Sequence, residues 1–223
     1  MAPGRKVRRF HSGLQMSVAG QEITVVGAGV AGLAVARALA LKGASVTVLE
    51  QADAIREVGA GLQISPNGAA VLRALGLQDA LEAASMRARA VELRDGYDGD
   101  LVLRLDVARL RPDQGYHFLH RADLIDLLAK GARDAGVQIR LLQKIVSADL
   151  NAARPRLVTA QGAEHTPALL IGADGLHSPT RAALNGAAAP VFTGQVAWRA
   201  VATAVRNSSA IPCPMSADTG TTG

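Results

Sequence analysis

The sequence predicts an α/β fold with an inserted or appended antiparallel region. Three observations carry that prediction: a strand, glycine loop, helix and second strand near the start, an amphipathic helix in the middle, and several short alternating apolar runs around it. In the first unit, Ile23 to Val26 is an apolar run that feeds into Gly27-Ala28-Gly29-Val30-Ala31-Gly32, a G-x-G-x-x-G pattern opening a helix. Each glycine has a separate task. Gly27 permits the tight turn, Gly29 leaves the backbone open to a pyrophosphate, and Gly32 allows close packing of helix on strand. The helix N-terminus offers free N–H groups and partial positive charge to phosphate. The helix is predicted over Val30–Leu41, with Arg37 its only charged residue, and Lys42-Gly43 ends it. Ser45–Leu49 is the second strand. Glu50 stands at its tip, 18 positions after Gly32, where an acid accepts hydrogen bonds from ribose hydroxyls. The unit therefore predicts a Rossmann-like dinucleotide site.

Further along, Gly59 to Gly68 is predicted as a loop handing over to a helix, with Ser65 or Asn67 as its cap. Two short helices follow, Ala69–Leu75 and Gln78–Ala84, broken at Gly76. Val91–Arg94 and Leu101–Leu105 flank a run of turn residues and predict a hairpin. Tyr116–Leu119 is a strand candidate, and the amphipathic helix runs from about Ala122 to Asp134 with Leu124, Ile125, Leu127 and Leu128 on one face. Val137, Ile139 and Leu141 alternate as a strand does. Lys144–Leu150, Arg156–Ala160 and Ala168–Ile171 are further strand candidates.

Composition restricts the classes of function. The chain has 223 residues, 49% hydrophobic and 19% charged, which is the globular range. Its single cysteine, Cys213, leaves no internal disulfide and no cysteine-based metal site, and points to a reducing cytoplasm. No apolar run reaches the length of a membrane span. The net charge of +5 is misleading, because Arg5, Lys6, Arg8 and Arg9 precede the first acid, Glu22. Without them the chain carries 5 − 4 = +1. The basicity thus belongs to a predicted disordered extension over residues 1–20, for which an ordinary start at Met16 is preferred to a nucleic-acid arm or a presequence, and no nucleic-acid partner is expected. From Asn207 the chain turns Ser/Thr/Pro/Gly-rich, predicting a disordered tail over 207–223.

The second specific signal is Leu170-Ile171-Gly172-Ala173-Asp174-Gly175-Leu176-His177-Ser178-Pro179-Thr180-Arg181, a strand running into a glycine-flanked aspartate and a Ser-Pro-Thr helix start. Together, GAGVAGL, Glu50, GAGLQISPNGAAVLRALGL, HRADLIDLL and GADGLHSPTR resemble the class A flavoprotein monooxygenases, the aromatic hydroxylases related to para-hydroxybenzoate and salicylate hydroxylases, from about Ile23 to about Arg199.

The resemblance implies a Rossmann-like, glutathione-reductase-like FAD-binding domain over residues 21–206, with an incomplete set of antiparallel substrate-domain strands. It implies that Gly27, Gly29, Val30, Ala31, Gly32 and Glu50 hold the ADP half of FAD. Gly61 and Leu62 would run beside the flavin, Arg121 would contact the cofactor, and Asp174, supported by Arg181, would serve the region shared by FAD and the nicotinamide coenzyme. The implied activity is hydroxylation of a small aromatic substrate, a phenol or aromatic acid, with NADH or NADPH as transient co-substrate and O2. No catalytic side chain is assigned.

Other constellations have blander explanations. His117 and His120 lie three apart in a predicted strand and so face opposite sides, which argues against a metal site. Asp174, His177 and Ser178 supply the residue types of a hydrolytic triad without a G-x-S-x-G elbow. Arg121 could form only a local salt bridge or cap, and Trp198 is read as core. The family's later Gly-Asp motif and C-terminal portion are absent, so the expectation is a truncated or frame-shifted product. Two alternatives stay open: a non-catalytic FAD-binding remnant or interaction protein, and another FAD- or NAD-dependent oxidoreductase.

Overall fold

The computed structural model describes residues 17–55 and 61–196. The basic cluster before Met16, Trp198, Cys213 and the Ser/Thr-rich tail lie outside these residues. In chain order, β1 (Glu22–Val26), α1 (Val30–Ala40) and β2 (Ser45–Leu49) form the expected β-α-β unit. Then come β3 (Gly61–Ile64), α2 (Pro66–Ala74), α3 (Gln78–Ala84), β4 (Met86–Arg87), β5 (Val91–Arg94), β6 (Leu101–Leu105), α4 (Val107–Leu110) and β7 (His117–His120). The remainder is α5 (Arg121–Asp134), β8 (Gln138–Arg140), β9 (Ile145–Asp149), β10 (Arg156–Thr159), β11 (Glu164–His165), β12 (Leu169–Gly172) and α6 (Pro179–Asn185).

A parallel sheet in the order β12-β1-β2-β8 is the frame. Alternation along its central strands assigns the two faces. Ile23, Val25, Val46 and Val48 enter one core with Leu33 and Ala36 of α1 and Leu124, Ile125 and Leu128 of α5. Val26 and Leu49 point the other way and meet Ile145 and Leu157 of the antiparallel β11-β10-β9 sheet. Helices thus cover one face and a small sheet the other, which explains why the central strands are apolar on both sides. The chain winds from β1 out to β2 and β8, then returns to place β12 on the other flank of β1. That reversal sets a topological switch point between β1 and β12.

Arg37, the lone charge on α1, joins three helices. Its Nε donates to the carbonyl of Leu75 at the end of α2, 2.7 Å away, and its Nη1 to the carbonyl of Gly131 in α5. A charged donor is well placed at Leu75, where the helix leaves carbonyls unpaired and partially negative.

The structure corrects several expectations. Residues 61–64 are a strand, not part of a loop, because Gly61–Ile64 pairs antiparallel with β7, Gly61 opposite His120 and Ile64 opposite His117. The partner is remote in sequence, so the local turn signals pointed elsewhere. Ser65 occupies the N-cap position of α2 but makes no side-chain cap bond, since its hydroxyl is engaged with Asn67 Oδ1. The hairpin forms as β5–β6, yet all of its residues are exposed. His117 is buried and His120 exposed, as alternation requires, and among the described residues no three His, Cys, Asp or Glu side chains cluster for a metal. Among the same residues, no helix is long and apolar enough to cross a membrane.

Two predictions follow from this packing. Replacing Arg37 with Met keeps the stem but removes two charged donors, so urea unfolding should report a loss of about 2 kcal/mol, the scale of hydrogen bonds from charged groups. The second concerns pH. Burial holds the His117 imidazole below its ordinary value of 6.5, with Arg87 adding to the effect, and burial with Arg140 does the same to His165. With folded values below the unfolded one, the unfolded chain takes up more protons, so stability is full above about pH 6.5 and falls as pH drops through the folded values. The urea midpoint should decline from pH 7.5 to 5, and less steeply in His117→Gln.

Candidate functional site

The site grows from the end of β1. The Gly27 N–H donates to the Leu49 carbonyl at 2.8 Å, and the Ala173 N–H donates to the Val26 carbonyl at 2.8 Å, so the three strand ends are tied together. Gly27 has φ +100, and a β-carbon there would overlap the Ala173 carbonyl. At Gly32 a β-carbon would overlap the carbonyl of Gly27. Gly29 differs, because nothing lies within 4 Å of where its β-carbon would stand. Two of the glycines are therefore required by the protein's own packing, and the third keeps a space open.

Gly29 is the N-cap of α1 and supplies no side chain, and the first turn contains no acid. The opening N–H groups of any helix lack intrahelical partners. Here nothing from a capping side chain neutralises them, and their partial positive charge faces an open cleft suited to an anion. Val30 and Ala31, the first residues of α1, are exposed at this end, while Gly32 is buried.

Glu50 forms the opposite wall. Its Oε2 accepts from the Ala28 N–H at 2.6 Å and its Oε1 from the Ala52 N–H at 2.9 Å. The carboxylate is therefore braced between the glycine loop and the chain leaving β2. A cavity of about 280 Å³ is lined by Gly27, Gly29, Glu50, Ile125 and Asp174. A second, of about 620 Å³, shares Gly27, Glu50, Gln51 and Asp174 and reaches Gln143, Lys144 and His177. Both lie at the carboxyl ends of β1, β2 and β12, where ligands bind in open α/β sheets.

The turn entering β9 is strained at one point. Leu142 has φ +59, a left-handed conformation costing on the order of 1 kcal/mol in a non-glycine residue. Two backbone bonds hold it: the Leu142 N–H donates to the Ala52 carbonyl at 3.0 Å and the Gln143 N–H to the Glu50 carbonyl at 2.7 Å. The bend carries Gln143 and Lys144 to the cleft.

Asp174 is more than a turn residue. Its carboxylate accepts from the Ser178 and Thr180 hydroxyls and from the Thr180 N–H at 3.2 Å, and Ser178 Oγ accepts from the Arg181 N–H at 2.8 Å. Arg181 also donates to the Leu176 carbonyl at 2.7 Å. These bonds fasten α6 to the end of β12 and present Gly175 and Asp174 to the cleft. They also dispose of the hydrolytic triad, since the Ser178 hydroxyl is spent between Asp174 and the helix start while His177 is exposed.

The remaining candidates sit at the border. Gly61 pairs with His120, which brings it beside Arg121, the first residue of α5. Ile125 lines the cleft one turn along from Arg121, on the same helical face. Leu62 packs against the main core. Sequence reasoning overlooked Gln51, Gln143 and Lys144 as cleft residues and considered His177 only for a triad. For His177 the signal was its place in GADGLHS, whereas Gln143 and Lys144 arrive through tertiary contact.

A family model described as "FAD binding domain" matches residues 21–216. The chain is 41% identical to 3-amino-4-hydroxybenzoate 2-monooxygenase of Streptomyces cremeus over 166 residues, 71% of this chain and 41% of that protein. It is 36% identical to 3-hydroxybenzoate 6-hydroxylase of Polaromonas naphthalenivorans over 183 residues, 80% of this chain and 46% of that protein. Among solved structures, tetrameric 2-methyl-3-hydroxypyridine-5-carboxylic acid oxygenase superposes with a TM-score of 0.66 at 29% identity, covering 74% of this chain and 42% of the other. The chain spans about half the length of the curated relatives it matches.

The three glycines make an internal test of this geometry. Alanine at Gly29 should leave the melting temperature within a degree or two of wild type. Alanine at Gly27 or Gly32 should lower it clearly, by an amount corresponding to about 1–3 kcal/mol for forced strain or overpacking.

Proposed function

The chain belongs to the FAD-binding domain family of the class A aromatic monooxygenases, and from this premise we propose that its cleft holds the ADP half of FAD. The observation that carries the reading is the uncapped start of α1 facing the open space at Gly29, with the Glu50 carboxylate across from it. Backbone N–H groups at Gly29, Val30, Ala31 and Gly32 would meet the pyrophosphate, and Gly27 would hold the turn. Each Glu50 oxygen uses one lone-pair direction on the backbone and keeps another for a ribose hydroxyl. Asp174, fixed by α6, would border the pyrophosphate. Gly61, Leu62 and Arg121 would face the part of the cofactor toward its ring. Residues 21–206 would act as the cofactor-binding unit, with 1–20 and 207–223 outside it.

Bound FAD would supply the redox and oxygen-activating chemistry, with NADH or NADPH as reductant. The protein's own contribution is to position the cofactor through dipoles and hydrogen bonds and to exclude water from its buried side. The reaction class is hydroxylation of a small phenol or aromatic acid. Support comes from relatives named for aminohydroxybenzoate and hydroxybenzoate. A reducing cytoplasm is the compartment proposed.

A second reading, FAD binding without turnover, is favoured by one observation. The β5–β6 ribbon exposes Leu93, Val102 and Leu103 to more than half of their possible extent. In that reading the ribbon would serve as an interaction surface.

The experiment is purification of the full chain, a flavin spectrum, and NAD(P)H oxidation with and without 3-hydroxybenzoate. Bound FAD with substrate-stimulated oxidation supports the hydroxylase, bound FAD without it supports the second reading, and failure to bind added FAD refutes both. Glu50→Gln should weaken FAD about tenfold, roughly 1.4 kcal/mol, because an amide cannot accept from both Ala28 and Ala52. Gly29→Ala should weaken FAD at least as much while leaving stability unchanged.

A further inference from the structure

Among the described residues β5 and β6 pair only with each other, and their register sorts the side chains of this ribbon by face. Val91 stands opposite Leu105 and Leu93 opposite Leu103, so these four apolar side chains share one face, while Glu92 and Arg104, opposite each other, lie on the reverse. The polar face is satisfied within the ribbon, because the Glu92 carboxylate accepts from Arg94 Nη2 at 2.9 Å and also from Arg104. The apolar face has nothing comparable. Leu93 is 59% and Leu103 60% exposed, and exposed Leu101 and Val102, at the irregularity in the pairing, extend the apolar surface toward the turn.

The ribbon is also polarised along its length. The turn at its tip, Asp95-Gly96-Tyr97-Asp98-Gly99-Asp100, holds three acids and no cation, 0 − 3 = −3. At its base the Ala108 N–H donates to the Arg89 carbonyl at 3.0 Å, which joins the segment before β5 to α4. Residues 87–89 and 106–113 there carry Arg87, Arg89, Arg109 and Arg111 against Asp106 and Asp113, 4 − 2 = +2. All four arginines are exposed.

From these two patterns we infer that the ribbon is a self-association surface, on which a second copy of this chain lays its own ribbon antiparallel, apolar face on apolar face. Face-to-face stacking buries the inward side chains of both layers, whereas edge-to-edge pairing would merge the two apolar faces into one that stays open. Charge decides the direction. An antiparallel arrangement sets each acidic tip against the basic base of the other copy, and a parallel one sets tip on tip and base on base. One ribbon supplies both signs, so the partner it complements is itself. The two-fold relation uses the same face of both copies, and association closes at a dimer. The face is small beside a standard interface of roughly 20–30 residues a side, so the dimer is weak and depends on concentration. This inference does not depend on what the cleft binds.

Sedimentation velocity of the purified full chain at low salt, at rising concentration across the micromolar range, should show a reversible monomer–dimer equilibrium. Leu103→Lys, a change at an exposed position, should weaken the dimer roughly tenfold or more with an unchanged melting temperature, because stacking would bury the new charge. Asp100→Arg and Arg109→Asp should each weaken it about threefold, the scale of exposed ion pairs. Mixing those two variants should restore a dimer of wild-type affinity, since every tip then again faces a base of opposite sign. A dimer indifferent to Leu103→Lys, or a mixture no tighter than the single variants, overturns the proposal. A monomer at every concentration does so too, and a lower melting temperature of Leu103→Lys in that case would show that the chain covers this face with its own residues.

Discussion

The carbonyl oxygen of Ala173 occupies the space that a side chain at Gly27 would need. That contact fixes the end of β12 against the turn leaving β1, and the rest of the site is arranged around it. Gly32 fits over the Gly27 carbonyl, which sets the angle at which α1 leaves the sheet. The N–H of Ala28, held in the same turn, meets the Glu50 carboxylate and ties the tip of β2 to the loop. The glycine turn is thus one corner of a packed arrangement of three strand ends. The turn's backbone is held by the protein's own contacts, the Ala173 carbonyl on one side and the Glu50 carboxylate on the other.

Legibility in the sequence followed the distance over which each interaction acts. The β-α-β unit was readable because its strand runs, glycine spacing and terminal acid are local and each has a physical requirement. The central α5 was readable because four apolar residues mark one face, although it starts at Arg121, one residue before the expected Ala122. The strand at Gly61–Ile64 was not, because its only support is pairing with β7, and nearby Gly, Ser, Pro and Asn carry strong turn signals. The same reason hid Gln143 and Lys144, which reach the cleft through a left-handed Leu142 held by carbonyls of Ala52 and Glu50. Arg37 was visible as an isolated charge, but its partners on α2 and α5 come from the tertiary fold.

Asp174 lines the cleft without offering its own charge freely. Two hydroxyls and one backbone N–H converge on its carboxylate, all from the start of α6. Such a group positions the backbone that follows, Gly175 with φ +78, at the mouth of the cleft. Replacing the carboxylate would loosen α6 and shift the glycine before it altered the electrostatics of a ligand. Glu50 is different, because each of its oxygens meets a single backbone donor and keeps capacity for another. The two acids, at the tips of the strands on either side of β1, therefore differ in what they leave free: Asp174 holds the wall, whereas Glu50 keeps acceptor capacity toward the cleft, a difference set by how many donors the fold directs at each.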